Sequence, residues 1–206
     1  MLQIENICCE RGDRRLFQGL SFAVGAGESM HVVGHNGSGK TTLLRALAGL
    51  LAPTEGTIRW REEDIRDLGE EYHQELAYLG HLNGNKGDLS VYENLRVAAC
   101  LAGRMVTPEE VTAALRRIGL HDCEDLPARI LSQGQQRRVA LARLFLTKAA
   151  LWVLDEPFVA LDTAAVATLQ HEIDEHLRRG GIIVLTAHHE VQLNTGAPRL
   201  LELGRH

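Results

Sequence analysis

No stretch of this 206-residue chain approaches the run of about eighteen apolar residues that a bilayer-crossing helix needs. The amino-terminal Met1-Leu-Gln-Ile-Glu-Asn6 also lacks a basic region leading into an apolar one, so a chain that stays in the cytoplasm is expected, with any membrane contact local. The cysteines (Cys8, Cys9, Cys100 and Cys123) form neither a zinc-like Cys-x-x-Cys pair nor a secreted disulfide framework, which leaves buried or idle thiols. Positive charge is in deficit, with 22 Lys and Arg against 27 Asp and Glu. No chain-wide field therefore draws the protein to nucleic acid or to an anionic membrane. Internal repeats, low-complexity tracts and extended linkers are missing as well, and the length suits one domain with a substantial core.

What is present is strand and helix patterning in a definite order. Leu2-Gln-Ile-Glu-Asn-Ile-Cys8 and Leu20-Ser-Phe-Ala-Val24 alternate apolar with polar residues, as half-exposed antiparallel strands do. Met30-His-Val-Val33 runs into a glycine-rich loop, and Thr41 to Leu50 reads as an apolar helix closed by Gly49. Leu89 to Gly103 and Thr107 to Leu120 lack strand periodicity. Thr107-Pro-Glu-Glu110 supplies an N-cap, Pro at the first position and Glu at the third, and Val111, Leu115 and Ile118 give that helix one apolar face ending near Gly119. Ala149 to Leu154 and Gly181 to Thr186 are continuous apolar runs of the kind buried on both faces of a parallel sheet, joined by a helix from Ala164 to Arg179. The expected fold is α/β: a parallel sheet whose order of strand, glycine-rich loop and helix is that of a P-loop NTPase core, with an amino-terminal antiparallel β-subdomain and a helical insertion. A core of 1–82 and 131–206 is expected around a helical subdomain at about 83–130.

The chemistry is carried by Gly34-His35-Asn36-Gly37-Ser38-Gly39-Lys40-Thr41, with Thr42 following. This G-x-x-x-x-G-K-T pattern turns backbone N–H groups inward on a β-phosphate, brings Lys40 to the β- and γ-oxygens and offers the Thr41 hydroxyl to Mg²⁺. The dipole of the following helix adds to the anion cradle. By itself the motif indicates a nucleotide, ATP being the expected ligand, and not a reaction. Asp155, at the end of a buried strand, can hold the Mg²⁺ shell, and Glu156 can present its carboxylate toward the γ-phosphate as the base for an attacking water. His188, just beyond the neighbouring strand, is placed to reach the same phosphate, although an isolated histidine is more often structural.

With Leu131-Ser-Gln-Gly-Gln-Gln136, Leu154-Asp-Glu-Pro157, Ala160-Leu-Asp162 and His188 in this order, the chain resembles the ABC ATPase family over nearly its whole length. The resemblance implies that Ser132, Gln133, Gly134 and Gln135 form a signature whose Ser and following backbone close over the γ-phosphate held by a second copy. It also places Asp162 in a dimer loop. Two nucleotides would then join a head-to-tail pair. Apart from the family, the same segment reads as a capped amphipathic helix with a solvated basic pair, Arg137-Arg138.

Three departures from the family pattern stand out. Gln133 occupies a position usually held by glycine; Gly80-His81 stands where a glutamine usually meets the metal and the transport subunit; and Cys9-Glu-Arg-Gly-Asp13 has no aromatic for the adenine, so that Arg11 either stacks its guanidinium plane there or is a surface arginine. His81 is accordingly expected to act in coupling, the alternative being a surface-loop histidine. Together with Tyr78-Leu-Gly-His81, Gly84-x-Lys86 and Gln135 to Leu144, these features resemble the branch of the family that serves bacterial cytochrome c maturation and haem export. That resemblance implies integral membrane transport subunits of the same system as partners and a peripheral place on the cytoplasmic face of the bacterial inner membrane. It leaves open whether haem is moved or a haem-loaded chaperone is released. No Cys-x-x-Cys-His motif occurs, so no direct haem site is expected on this chain. An exporter of another small molecule or lipid would share the ATP motifs. A clamp on nucleic acid or ribosomes fits less well, because the chain has one cassette, no sustained heptads and no basic stripe.

Overall fold

A computed structural model describes residues 1–12, 14–187 and 193–204. They fall into two compact units, one comprising Met1–Gly80, Ala149–Glu156 and Asp174–His206, the other His81–Lys148 and Pro157–Ile173.

The first unit contains two sheets. An antiparallel sheet has the order β2 (Arg14–Val24), β1 (Leu2–Arg11), β4 (Glu55–Trp60), β5 (Glu63–Asp64). β2 begins earlier than its alternation suggests, because pairing continues through Cys9↔Phe17 to Arg11↔Arg14 near the turn. The register of β1 shifts between Ile4 and Ile7, with Asn6 at φ 50°, so Ile7, Cys8 and Cys9 are buried in succession. Two short helices, α2 (Ile65–Leu68) and α3 (Glu70–Gln74), follow β5 and lead into the second sheet's strand at Leu76–Leu79.

That sheet is parallel, with the order β6 (Leu76–Leu79), β7 (Leu151–Leu154), β8 (Ile182–Thr186), β3 (Ser29–Val33), β9 (Arg199–Glu202). Every residue of β7 and β8 is buried, as the continuous apolar runs require, each large side chain contributing about 1.5–3 kcal/mol relative to exposure. The connection from β7 to β8 is α7 (Thr163–Arg178). A glycine-rich loop joins β3 to α1 (Lys40–Leu47), whose Leu43, Leu44, Ala46 and Leu47 are fully buried. The carboxyl ends of β7, β8 and β3 therefore lie side by side, the location where open α/β sheets bind ligands.

The second unit is helical. α4 (Val91–Leu101) is capped by Ser90 with Glu93, and α5 (Pro108–Arg117) by Thr107 with Glu110, each as a reciprocal capping box. Val111, Leu115 and Ile118 are buried, as their spacing predicts. Both helices pack on α6 (Gln133–Leu146), whose Val139, Ala140, Leu141 and Ala142 are buried. The segment 131–148, read from sequence as part of the core, is thus grouped with the helices. Segment 157–173 is grouped there too.

Candidate nucleotide site

The loop from Gly34 to Gly39 is shaped by what it excludes. At Gly34 φ is +151°, and a Cβ there would lie 2.5 Å from the Leu203 carbonyl and 2.6 Å from Ser38 Oγ, so only glycine fits. His35, Asn36 and Gly37 form the exposed crest, while Ser38 and Gly39 are buried beneath it. The Ser38 hydroxyl has no hydrogen-bond partner among the described residues. Lys40 curls back over the loop, its Nζ donating to Gly34 O at 2.7 Å and to His35 O at 3.1 Å. Those carbonyls take the ammonium donors that phosphate oxygens can claim instead.

Below the loop the strand ends converge. Thr41 Oγ1, in the first turn of α1, donates to Asp155 Oδ2 at 2.8 Å. Thr186 Oγ1, at the end of β8, donates to Asp155 Oδ1 at 2.7 Å and accepts the Glu156 amide at 2.9 Å. Asp155 is 2 % exposed, and these hydroxyls offset much of the cost of burying a carboxylate. Its charge is felt nearby: the Tyr78 phenol is pushed up by burial and further by Asp155. A hydroxyl and a carboxylate oxygen in contact suit a hard divalent cation such as Mg²⁺, which takes few protein ligands and fills its shell with phosphate and water. Glu156 follows at φ 48°, in the left-handed region. Thr42 is half-buried behind Thr41, and Arg11 is exposed at the end of β1. His188 lies outside the described residues.

In the helical unit, Ser132 is the N-cap of α6: its Oγ accepts the Gln135 amide at 3.2 Å, while Gln135 Oε1 accepts the Ser132 amide at 2.9 Å. Gln133 opens the helix. At Gly134 an added Cβ would meet Ala160 O at 2.8 Å, so the two chain segments approach too closely for a side chain. Asp162 Oδ1 accepts the Ala165 amide at 2.9 Å at the start of α7, and Oδ2 pairs with Arg138 at 2.5 Å. The Ala165 amide and the Arg138 charge hold the Asp162 carboxyl below the usual range.

The reading of Arg137-Arg138 as a solvated pair does not hold, because Arg137 points inward, is 5 % exposed and donates to Asn83 Oδ1 at 3.2 Å. Arg143, six residues further along the helix, donates to Asn83 O, Gly84 O and Asn85 Oδ1 at 3.0, 3.2 and 2.6 Å. The two arginines fasten the segment that follows the exposed His81 to α6. Sequence reasoning missed this function of Arg143, and it missed Thr186. The signal for the latter was a hydroxyl closing a wholly apolar strand.

A family model described as ABC transporter matches residues 17–159. The chain is 51% identical over 195 residues to the cytochrome c biogenesis ATP-binding export protein CcmA of Nitrosomonas europaea, covering 95% of this chain and 92% of that one. It is 50% identical over 204 residues to the protein of the same description from Dechloromonas aromatica, covering 99% and 100% respectively. Among solved structures, a putative ABC transporter ATP-binding protein from Pyrococcus furiosus aligns with a TM-score of 0.84 at 27% identity, over 98% of this chain and 96% of that one. Similarity that extends end to end in sequence and in fold means that the chain belongs to the ABC transporter family, as an ATP-hydrolysing ATP-binding subunit.

Proposed function

We propose that this chain drives a membrane complex of bacterial cytochrome c biogenesis by hydrolysing ATP, either exporting haem or releasing a haem-loaded chaperone. The observation that carries the catalytic part is the 2.8 Å contact between Thr41 and Asp155, which joins the phosphate loop to a buried carboxylate 114 residues away. The setting is supported by about half-identity to CcmA export proteins over nearly the whole chain.

In this reading the backbone N–H groups of residues 34–41 receive the β-phosphate, with Thr42 behind them, and the Lys40 ammonium leaves its loop carbonyls for the β- and γ-oxygens. Mg²⁺ would be held by Thr41 and Asp155, where it neutralises phosphate charge. Glu156 takes the proton of the attacking water, and His188 contacts the γ-phosphate. Ser132 and Gly134 of a second copy close over that phosphate, flanked by Gln133 and Gln135, and Asp162 belongs to the dimer loop. Arg11 stacks on adenine and His81 meets the membrane partner. Among the described residues no helix is long and apolar enough to cross a membrane. The proposed location is peripheral, on integral transport subunits at the cytoplasmic face of the inner membrane.

The test is Glu156→Gln in the purified chain. MgATP binding should persist while most turnover is lost and an ATP-bound dimer accumulates; near-wild-type hydrolysis would sink the assignment. The integral proteins that accompany the chain when it is purified from membranes test the cytochrome c setting.

A further inference from the structure

Thr186 is fully buried at the end of β8, and its hydroxyl is used in both directions, as donor to Asp155 Oδ1 and as acceptor of the Glu156 amide. Valine has the same shape and would complete the apolar run Ile182–Leu185 without desolvating a hydroxyl, so a buried threonine here needs a reason. The backbone of Glu156 supplies one. Its φ of 48° is a conformation that costs a non-glycine residue about 1 kcal/mol or more, so the turn must be held by its surroundings. The Thr186 hydroxyl sits on the amide of that turn.

The end of β8 is itself fastened from the next strand. His31, on β3 and 4 % exposed, brings Nε2 to 3.1 Å from the Ala187 nitrogen and 3.2 Å from the Ala187 oxygen. Burial holds the imidazole pKa down against the opposing Ala187 contact. In the tautomer protonated on Nδ1, Nε2 accepts the Ala187 amide. His31 pairs with Leu185 and Val32 with Thr186 in the parallel register, so the ring ties the peptide just beyond Thr186 to the strand from which the phosphate loop springs.

We propose that Thr186, its strand end fixed by His31, is a positioning residue for ATP hydrolysis that aligns the Asp155 carboxylate and the Glu156 backbone through one shared hydroxyl. It rests on the assignment of hydrolysis to Glu156. Thr186 touches neither nucleotide nor water in this role; it sets the direction from which Glu156 acts.

The test is made on the purified full chain, measuring steady-state ATPase, equilibrium binding of a fluorescent ATP analogue and the thermal midpoint. Thr186→Val should lower kcat by about tenfold to a hundredfold while analogue affinity stays within about threefold, as expected for losing a hydrogen bond to a charged group at the reacting centre. Thr186→Ser, which keeps the hydroxyl, should recover to within about threefold of wild type. His31→Leu should lower kcat in the same sense, and His31→Gln, whose amide can meet the Ala187 peptide, should recover part of it. Wild-type kcat in Thr186→Val would overturn the proposal. So would equal losses in the Val and Ser variants, or losses of kcat and affinity that run in parallel with the melting temperature. Glu156→Gln run alongside separates the two levels: if that variant still hydrolyses, the parent assignment has failed, whereas an inactive Glu156→Gln beside a fully active Thr186→Val refutes only the role of Thr186.

Discussion

His176 should make the sheet that carries the site sensitive to acid. Its ring stacks on Trp152 of β7, with centroids 4.1 Å apart and planes 13° from parallel. Burial pushes its pKa down from 6.5 to about 4, helped by the Arg179 charge and opposed by the nearby backbone of Ile182 and Ala150. Well above pH 6.5 the ring is neutral in both folded and unfolded chains and the shift has no effect on stability. As pH falls below that value the unfolded chain takes up a proton that the folded chain refuses, so stability declines until the folded pKa near 4 is passed. The full shift corresponds to about 3 kcal/mol, of which about 2 kcal/mol is lost by pH 5; partial exposure of the ring makes these upper values. His31, also depressed by burial, contributes with the same sign and cancels in a comparison of wild type with His176→Phe. Phenylalanine keeps the stack on Trp152 and cannot titrate. The His176 Nε2 is buried with no hydrogen-bond partner among the described residues, so the substitution should cost less than about 1 kcal/mol at pH 7.5. Urea unfolding followed by circular dichroism should then show the variant gaining on wild type by up to about 2 kcal/mol between pH 7.5 and 5. Parallel curves for the two proteins across that range would refute the reasoning.

Two further predictions concern the site motifs. Lys40→Ala should weaken MgATP binding by about 2 kcal/mol or more, some thirtyfold or greater, measured by equilibrium binding of a fluorescent analogue, because a phosphate charge loses its partner; unchanged affinity would contradict the cradle. Gly134→Ala should lower the thermal midpoint and the ATPase rate, since the clash with Ala160 O at 2.8 Å outweighs the roughly 1 kcal/mol that Gly→Ala gains in a helix; a raised midpoint would show that the contact can relax.

The parts of this protein that were legible in the sequence are those whose interactions close within a few residues. The phosphate loop is contiguous from Gly34 to Thr41, and the capping boxes of Thr107 with Glu110 and Ser132 with Gln135 span three residues each. β7 and β8 were legible because burial on both faces leaves no polar alternation. β4, β5, β9 and the short helices α2 and α3 were not. β9 exposes Arg199, Leu200 and Glu202 and exists by pairing with β3, which local propensity does not report.

Composition and order by themselves determined that a nucleotide loop precedes a buried strand ending in two carboxylates, and that a capped helix carrying Ser132 lies between them. Tertiary structure alone decided which oxygens meet. Thr41 with Asp155, Thr186 with Asp155 and His31 with Ala187 are separated by 114, 31 and 156 residues, and they touch only because the sheet places β8 between β7 and β3. It also decided that Arg137 turns inward and Arg138 outward to Asp162, since adjacent helical residues project about a quarter-turn apart and only the packed neighbours say which direction is buried. Strand order is a property of the whole chain, and no window of sequence contains it.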